Sequence, residues 1–395
     1  MRLVIALLIG SIGAVGMWAV VVVLPVVQAE FGAGRGAVSL AFTLTMLGFG
    51  LGGVVTGKIT DRFGIVTAMG LCIALLGIAF VLAGLSTTLW QFVAVYFLIG
   101  LGTSATFAPL MAEASHWFDR YRGLAVTIVA SGNYVAGTIW PPVVNWGVQT
   151  AGWRTTHIVL GLFCVATMTV LVALLRAQMG DEQVQDHANA PPPRVDLNLS
   201  TNTLTVMLSI ASIACCVAMS MPQVHIVAYC GDLGYGVARG AEMLSVMMGF
   251  GIISRIGSGF LADRIGGIRT LLIGSLAQGF ALLFYLFFDS LSSLYIISAM
   301  FGLFQGGIVP SYAIIVREAM PAREAATRVG IVIFASVFGM SFGGWVSGFI
   351  FDATGSYAAA FANGLAWNAV NILIVMTLLI RARANSARAG EGLAI

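Results

Sequence analysis

Runs of about twenty apolar residues recur along almost the whole chain, separated by short polar segments. An α-helix rises 1.5 Å per residue, so a run of this length covers the roughly 30 Å hydrocarbon core of a bilayer. The pattern predicts twelve membrane-spanning helices, numbered here span 1 to span 12. Spans 1 to 6 are predicted near residues 3–27, 37–57, 66–86, 89–111, 124–148 and 155–176, and spans 7 to 12 near 203–229, 239–261, 270–288, 292–316, 329–351 and 356–380.

One long segment, residues 177–202, interrupts this pattern. It is polar and contains three consecutive prolines from Pro191, so it cannot cross a membrane as a helix. The sequence therefore predicts two six-helix bundles, residues 1–176 and 203–395, joined by a cytoplasmic linker, with a short cytoplasmic tail at the end. The first apolar run is too long for a signal peptide and lacks a small-residue cleavage site, so we expect it to be retained as span 1.

The composition agrees with an all-α membrane protein, since 59% of the residues are hydrophobic and only 9% are charged, against about a quarter in soluble domains. No cluster of basic residues is interleaved with aromatic ones, which argues against nucleic-acid binding. The cysteines lie in or beside apolar runs, with no CxxC pair and no histidine at metal-ligand spacing, so we expect no disulfide, metal or cofactor. They are Cys72, Cys164, Cys215, Cys216 and Cys230.

The basic residues predict the orientation, because positive charge is retained on the cytoplasmic side of a membrane. With both termini in the cytoplasm, fifteen of the 19 Lys and Arg residues fall on that side. Three face the opposite side, and Arg255 lies inside a span. The three are Arg35, Arg154 and Arg239.

A motif occurs once in each predicted bundle. GKITDRFG follows span 2 and GFLADRIGG follows span 8, so that Gly57 recurs at Gly259, 202 residues later. Repetition of a six-helix unit is typical of transporters whose binding site lies between two related halves. Glycines allow the helix ends to approach, and the charged pairs can bond to each other or to neighbouring helix ends. We therefore place them at a cytoplasmic gate: Asp61, Arg62, Asp263 and Arg264.

With this GxxxDRxG motif and its repeat, the chain resembles the major facilitator superfamily over essentially its whole length. PVVQAEFGAGRGAVSLAFT, HWFDRYRGLA and AGWR further resemble the bacterial monocarboxylate transporter and oxalate/formate exchanger group. The resemblance implies the twelve-helix major facilitator fold and transport across a bacterial inner membrane, by proton symport or by anion exchange. It also implies a protein that acts as a monomer, with a small organic anion, a proton in the case of symport, and membrane lipid as its partners.

Prolines occupy equivalent positions in the four three-helix units of the predicted fold. A proline in a membrane helix frees a backbone carbonyl and permits bending where protein or a water-filled cavity satisfies that carbonyl. Helices with such a proline are candidates to line the cavity and to bend during alternating access. The four gating candidates are Pro25 in span 1, Pro109 in span 4, Pro222 in span 7 and Pro310 in span 10.

Arg255 is the main candidate for substrate binding. It lies eight residues before Asp263, with small residues such as Gly251 and Ser258 on its helix face. A buried guanidinium in a membrane faces a cavity or a partner and suits a carboxylate; the alternative is a structural arginine bonded to backbone carbonyls or another helix. In the resembled group, an arginine of span 8 at this position is implicated in carboxylate binding.

The chain also departs from those relatives. Animal monocarboxylate transporters have an aspartate where this chain has Gly251 and a lysine where it has Val26, and the oxalate exchanger has a span 11 lysine that is absent here. A single cation in the cavity favours monoanions over dicarboxylates.

Other polar residues inside the spans could bind a carboxylate or hydroxyl oxygen, although each is also typical of helix packing. His225 is in addition the candidate proton carrier. These residues are Asn133, Tyr134, Gln223, His225, Gln305 and Tyr312.

Other functions fit less well. A membrane enzyme would need a catalytic motif, and HExxH, GxGD and a nucleophile with an evident base are all missing. A transport-derived sensor would carry a soluble signalling domain. Export of drugs or other metabolites is the alternative within transporters, although a carrier of lipophilic cations would be expected to have a membrane carboxylate and not a lone arginine.

Overall fold

The computed structural model describes residues 1–107, 109–111, 127–178, 195 and 197–392, and these residues are almost entirely helical, with no strand among them. Most of the predicted linker lies outside them. In the first half, span 1 is Arg2–Gly13 and Val15–Phe31, span 2 is Arg35–Phe63, span 3 is Ile65–Gly84, span 4 is Leu89–Thr103 with the 3₁₀ turn Ser104–Thr106, and spans 5 and 6 share the helix Gly132–Gln178. In the second half, span 7 is Thr201–Asp232, span 8 is Val237–Ile265, span 9 is Gly267–Phe287, span 10 is Leu291–Gln305 and Ile308–Ala319, span 11 is Ala322–Thr354 and span 12 is Tyr357–Gly392.

The described residues contain eleven helices that are long and apolar enough to cross a membrane, and one of them counts as two spans. This helical stretch, residues 127–177, has 51 residues, or about 76 Å, more than twice the hydrocarbon thickness. Gly152 interrupts it with φ 79° and ψ 158°. The chain folds back there, since a β-carbon on Gly147 would lie 2.9 Å from Cγ2 of Thr156. The twelve-span prediction is confirmed.

Three equivalent turns reveal the internal repeat in the backbone. Gly64 between spans 2 and 3, Gly152 between spans 5 and 6, and Gly266 between spans 8 and 9 have φ of 79–82° and ψ of 158–162°. A side chain would be strained at such φ values. The glycine that ends each copy of the repeated motif is therefore required by the backbone of the turn.

The two halves meet along two antiparallel helix pairs. In the pair of spans 2 and 11, Thr43 and Ser341 each donate a hydroxyl hydrogen bond to the other's backbone carbonyl, at 2.9 and 2.8 Å. In the pair of spans 5 and 8, the Ser245 hydroxyl donates to the backbone oxygen of Thr138. Such contacts between small residues let membrane helices pack closely.

The first of these pairs becomes more exposed toward its predicted cytoplasmic end. Gly50 of span 2 still packs on span 11, with Phe334 and Val337 within 3.4 Å of a β-carbon built on it. One turn further, Val54 is 57% exposed and its counterpart Ile331 is 45% exposed. Spans 2 and 11 are thus packed together from Thr43 to Gly50, and their side chains are more exposed beyond Gly50, toward the predicted cytoplasmic side.

Candidate functional site

Arg255 lies at the interface between the halves and is only 8% exposed. Its Nη1 donates to the backbone oxygen of Ala130 in span 5 at 2.8 Å, and its Nε donates to that of Gly306 in span 10 at 3.4 Å. Both acceptors are backbone carbonyls, the kind of partner expected if Arg255 has a structural role. They hold the guanidinium in place without cancelling its charge.

Tyr134 supplies the third contact of this arginine. The guanidinium carbon of Arg255 lies 4.6 Å from the centre of the Tyr134 ring, a distance at which a cation is attracted to an aromatic face. The ring fits because position 251 is a glycine, where a β-carbon would overlap the ring edge. The space beside Arg255 is thus filled by a neutral aromatic ring.

Within the described residues, no carboxylate lies within ion-pairing distance of Arg255. An arginine carries five N–H donors. Two of them are used by backbone carbonyls, and the other three have no acceptor in the described part of the chain. A buried cation with free donors is a site at which an anion can bind.

Span 1 fixes the part of span 5 that contacts Arg255. The indole N–H of Trp18 lies 3.1 Å from both the backbone oxygen and the side-chain oxygen of Asn133. Gly137, one turn on, lies against Trp18 and Met248, where a larger side chain would not fit. Asn133 therefore anchors span 5 through Trp18, and the neighbouring wall is apolar.

Span 10 is broken next to Arg255. Its first helix ends at Gln305 and its second begins at Ile308. A β-carbon on Gly306 would lie 2.8 Å from Cβ of Ser254 and 3.0 Å from the backbone nitrogen of Arg255. This close approach lets the carbonyl at the break accept the Arg255 bond. Pro310 lies just after the break, in the first turn of the second helix.

Gln223 and Gln305 form a buried pair in which Nε2 of Gln223 donates to Oε1 of Gln305 at 2.8 Å. Each side chain keeps one polar atom with no partner in the described structure, Oε1 of Gln223 and Nε2 of Gln305. Unpaired buried polar atoms are costly. Because Gln305 adjoins Gly306, this unsatisfied pair lies close to the Arg255 group.

Two predicted substrate residues lie elsewhere. Tyr312 is fully buried in the second half and its hydroxyl donates to Oδ1 of Asn371 in span 12 at 2.7 Å. His225 contacts the backbone oxygen of Gly344 through Nε2 at 2.8 Å, and its ring lies 5.8 Å from that of Tyr357. A carbonyl oxygen only accepts, so Nε2 carries the proton, and Nδ1 is buried with no partner in the described region.

The predicted gating residues are partly described. Arg62, Asp263 and Arg264 are exposed at the predicted cytoplasmic helix ends, and the charged pairing expected of them is not formed among the described side chains. The side chain of Asp61 lies outside the described structure. Pro25 and Pro222 lie within continuous helices, whereas spans 4 and 10 both break, after Thr103 and after Gln305, 202 residues apart. Pro109 follows the first break.

A charged cluster on the predicted extracellular side was not singled out from the sequence as a functional site. Arg35 of the first half bonds to Asp232, Asp352 and Tyr357 of the second. The sequence does contain a signal for this cluster, the segment GRG at the start of span 2. Its arginine is one of the few basic residues predicted on the extracellular side, and it has a glycine on each side.

The comparisons agree with this architecture. A model of the Major Facilitator Superfamily matches residues 6–297 and 258–393. An agnestins efflux protein of Paecilomyces divaricatus is 25% identical over 72% of this chain, which spans 65% of that protein, less than two thirds. Monocarboxylate transporter 13 of Rattus norvegicus is 24% identical over 82% of this chain and 74% of that protein. Monocarboxylate transporter 12 of Mus musculus is 25% identical over 82% and 72%.

A solved structure shares the fold. The inward-facing and occupied crystal structure of a bacterial homolog to the human lysosomal transporter Spinster superposes with a TM-score of 0.68, at 15% identity, over 96% of this chain and 94% of that one. The prediction from the repeated motif is confirmed: the chain belongs to the Major Facilitator Superfamily.

Proposed function

We propose that this protein carries small organic monocarboxylates across the membrane by alternating access. The observation that carries the proposal is the buried Arg255 guanidinium, which keeps three N–H donors without acceptors in the described chain. Two free donors on one planar group match the two oxygens of a carboxylate. Relatives named monocarboxylate transporters support the same substrate class.

A single cation sets the charge of the preferred substrate. Arg255 is the one basic residue inside a predicted span. Binding a monoanion there gives a neutral site, whereas a dicarboxylate would bring a second buried charge with no partner, at a cost of several kcal/mol. We therefore propose monoanions as substrates.

The same charge balance favours exchange over proton symport. The empty site carries an uncompensated guanidinium, because an aromatic ring and not a carboxylate lies beside it. In the transport cycle the site is closed to both sides at an intermediate step. Closing it over an uncompensated charge is costly, whereas closing it over the neutral pair of arginine and carboxylate is not. Exchange of one carboxylate for another follows. Symport with His225 as proton carrier is the alternative, supported by its unpartnered Nδ1.

Export of larger metabolites is the second candidate, and the relative named as an efflux protein supports it. The apolar wall around Trp18 and Met248 would suit such a substrate. For either substrate we propose a monomer in a bacterial inner membrane, with both termini in the cytoplasm and no enzymatic activity.

Uptake of radiolabelled short carboxylates into proteoliposomes tests the proposal. Wild-type protein should take up lactate or a similar monoanion, and uptake should rise when the vesicles contain unlabelled carboxylate. Arg255→Gln should abolish uptake at low substrate concentration. Glu30→Gln is a suitable control, since Glu30 forms its ion pair with Arg154 within the first half. Failure of every monocarboxylate to compete, with efflux of lipophilic compounds instead, would favour the exporter.

A further inference from the structure

Four residues join the halves at their extracellular ends, and we call them the extracellular lock: Arg35, Asp232, Asp352 and Tyr357. The Arg35 guanidinium holds both oxygens of Asp232, at 2.9 and 3.1 Å, and its Nη1 also donates to the Tyr357 hydroxyl. Arg35 is only 8% exposed. Arg35 belongs to the first half and its three partners belong to the second, so every one of these bonds crosses the interface.

Asp352 adds a second kind of bond. Its carboxylate accepts from the backbone N–H groups of Arg35 and Gly36, each at 2.7 Å, and so caps the first turn of span 2 from the opposite half. A negative charge is favoured at this end of a helix. Both flanking glycines are needed for the approach, because a β-carbon on Gly34 would lie 2.8 Å from Oδ2 of Asp352 and one on Gly36 3.2 Å from it.

The internal repeat shows that this arrangement is specific. Glu30 and Asp232 occupy equivalent helix ends, 202 residues apart. Glu30 binds Arg154 within its own half. The residue equivalent to Arg154, counted from the glycine between spans 5 and 6 (Gly152) and the glycine between spans 11 and 12 (Gly355), is Tyr357, which carries no positive charge. Asp232 therefore lacks a cation in its own half at this position and takes one from across the interface.

Arg35 and Asp352 also have no charged equivalent in the other half. The residue 202 positions after Arg35 is Val237, and the residue 203 positions before Asp352 is Gln149. Thus the first half supplies the cation and the second half supplies the anions. A repeat that kept Arg35 and Asp352 in both halves would instead have placed a second, equivalent bond between spans 5 and 8.

We propose that the extracellular lock holds the outer ends of the two halves together and sets the resting preference of the transporter for the cytoplasm-facing state. Opening to the outside separates Arg35 from all three partners at once. Asp232 and Asp352 are exposed, so the cost of opening falls mainly on the buried Arg35 guanidinium, a charge that is destabilised when it loses its partners. The lock can still open, because the Arg35–Asp232 pair lines a cavity of about 360 Å³ between the outer ends of spans 1 and 7, where water can solvate the parted charges. This proposal is independent of the substrate.

A distance measurement across the extracellular face tests the lock. Spin labels are attached to cysteines at Thr87 and Ser292, exposed positions near the outer ends of spans 4 and 10 in opposite halves. The five natural cysteines are buried. Pulsed electron paramagnetic resonance on the full chain in nanodiscs then reports the fractions with short and long separations. Asp232→Asn and Arg35→Gln should each raise the ratio of long to short separations about tenfold or more.

Glu30→Gln is the matched control, because it neutralises the equivalent acid of a pair that does not cross the interface. It should leave the distance distribution as in the wild type. Asp352→Asn gives a second, independent variant if Arg35→Gln does not fold. The proposal is overturned if folded Asp232→Asn and Asp352→Asn keep the wild-type distribution, or if Glu30→Gln shifts it as much as they do.

Discussion

Replacing Gly251 by alanine is the sharpest test of how the site holds Arg255. The added methyl group overlaps the edge of the Tyr134 ring, so the ring has to move off the guanidinium that it now covers at 4.6 Å. Arg255 itself is not changed, and its two backbone carbonyl acceptors remain. The variant therefore removes the aromatic contact while keeping the charge.

The expected loss follows from that one contact. A desolvated cation–π contact contributes about 2 kcal/mol and an exposed one about 0.5–1 kcal/mol. Without this contact between two buried partners, the guanidinium has to be ordered when the carboxylate binds. We therefore expect carboxylate affinity to fall by at most the energy of the contact, about 1–2 kcal/mol, or about five- to thirtyfold. The helix gain of alanine over glycine, about 0.5–1 kcal/mol, partly offsets a packing strain of about 1–3 kcal/mol, so folded protein should be recovered.

The assay is competition of unlabelled lactate against radiolabelled uptake in proteoliposomes, normalised to folded protein. Gly249→Ala is the matched control, because a β-carbon there would lie 3.6 Å from Thr138, an ordinary contact. Tyr134→Phe keeps the ring and should bind as the wild type, whereas Tyr134→Leu should match Gly251→Ala. The double variant of Gly251→Ala and Tyr134→Leu should lose no more than either alone, since both remove the same contact.

Wild-type affinity in Gly251→Ala, together with loss in Arg255→Gln, would show that the ring does not position the arginine while leaving the substrate proposal intact. Wild-type affinity in both would instead refute the carboxylate site itself.

Three further outcomes are expected. Arg255→Gln should weaken carboxylate binding about ten- to hundredfold, with Arg255→Lys between it and the wild type, in binding assays on folded protein; a purely structural arginine would lower thermal stability instead. His225→Gln should leave counterflow exchange of lactate unchanged, and selective loss of pH-driven accumulation in that variant would assign proton symport to His225. Single cysteines at Phe63 and Gly234 should react with impermeant thiol reagents from opposite sides of the membrane, and labelling of both from one side would contradict the orientation.

Most of the fold could be predicted from the sequence, because the lipid solvent imposes a simple rule. Each crossing requires a long apolar helix, and the observed helices extend the predicted spans by only a few residues at most ends. The single-residue turn at Gly152 was harder to place, since spans 5 and 6 follow each other with hardly any polar segment. The break of span 1 at Ala14 has no proline or charge to mark it.

The site was only partly predictable. A lone arginine in an apolar helix is conspicuous, so the sequence singles out Arg255, and it singles out Tyr134 and Gln305 as polar residues inside apolar spans. What fills the space beside Gly251 depends on how spans 5 and 8 pack, which no local pattern encodes. The contact of Tyr312 with Asn371 could not be predicted either. A sequence shows which residues of a helix are polar but not which neighbouring helix they face.

Residues that shape the fold recur in both halves of the chain, whereas the arginine of the candidate site does not. Residues that shape the scaffold recur: Gly57 at Gly259, Gly64 at Gly266, and the helix break after Thr103 at Gln305. The residue equivalent to Arg255, 202 positions earlier, is instead Gly53. Two opposed arginines in one cavity would repel each other and would demand two anions or a dianion. In the proposed mechanism the cation lies on one half only, so one monoanion neutralises the site, and both access states present that anion to the same side chain.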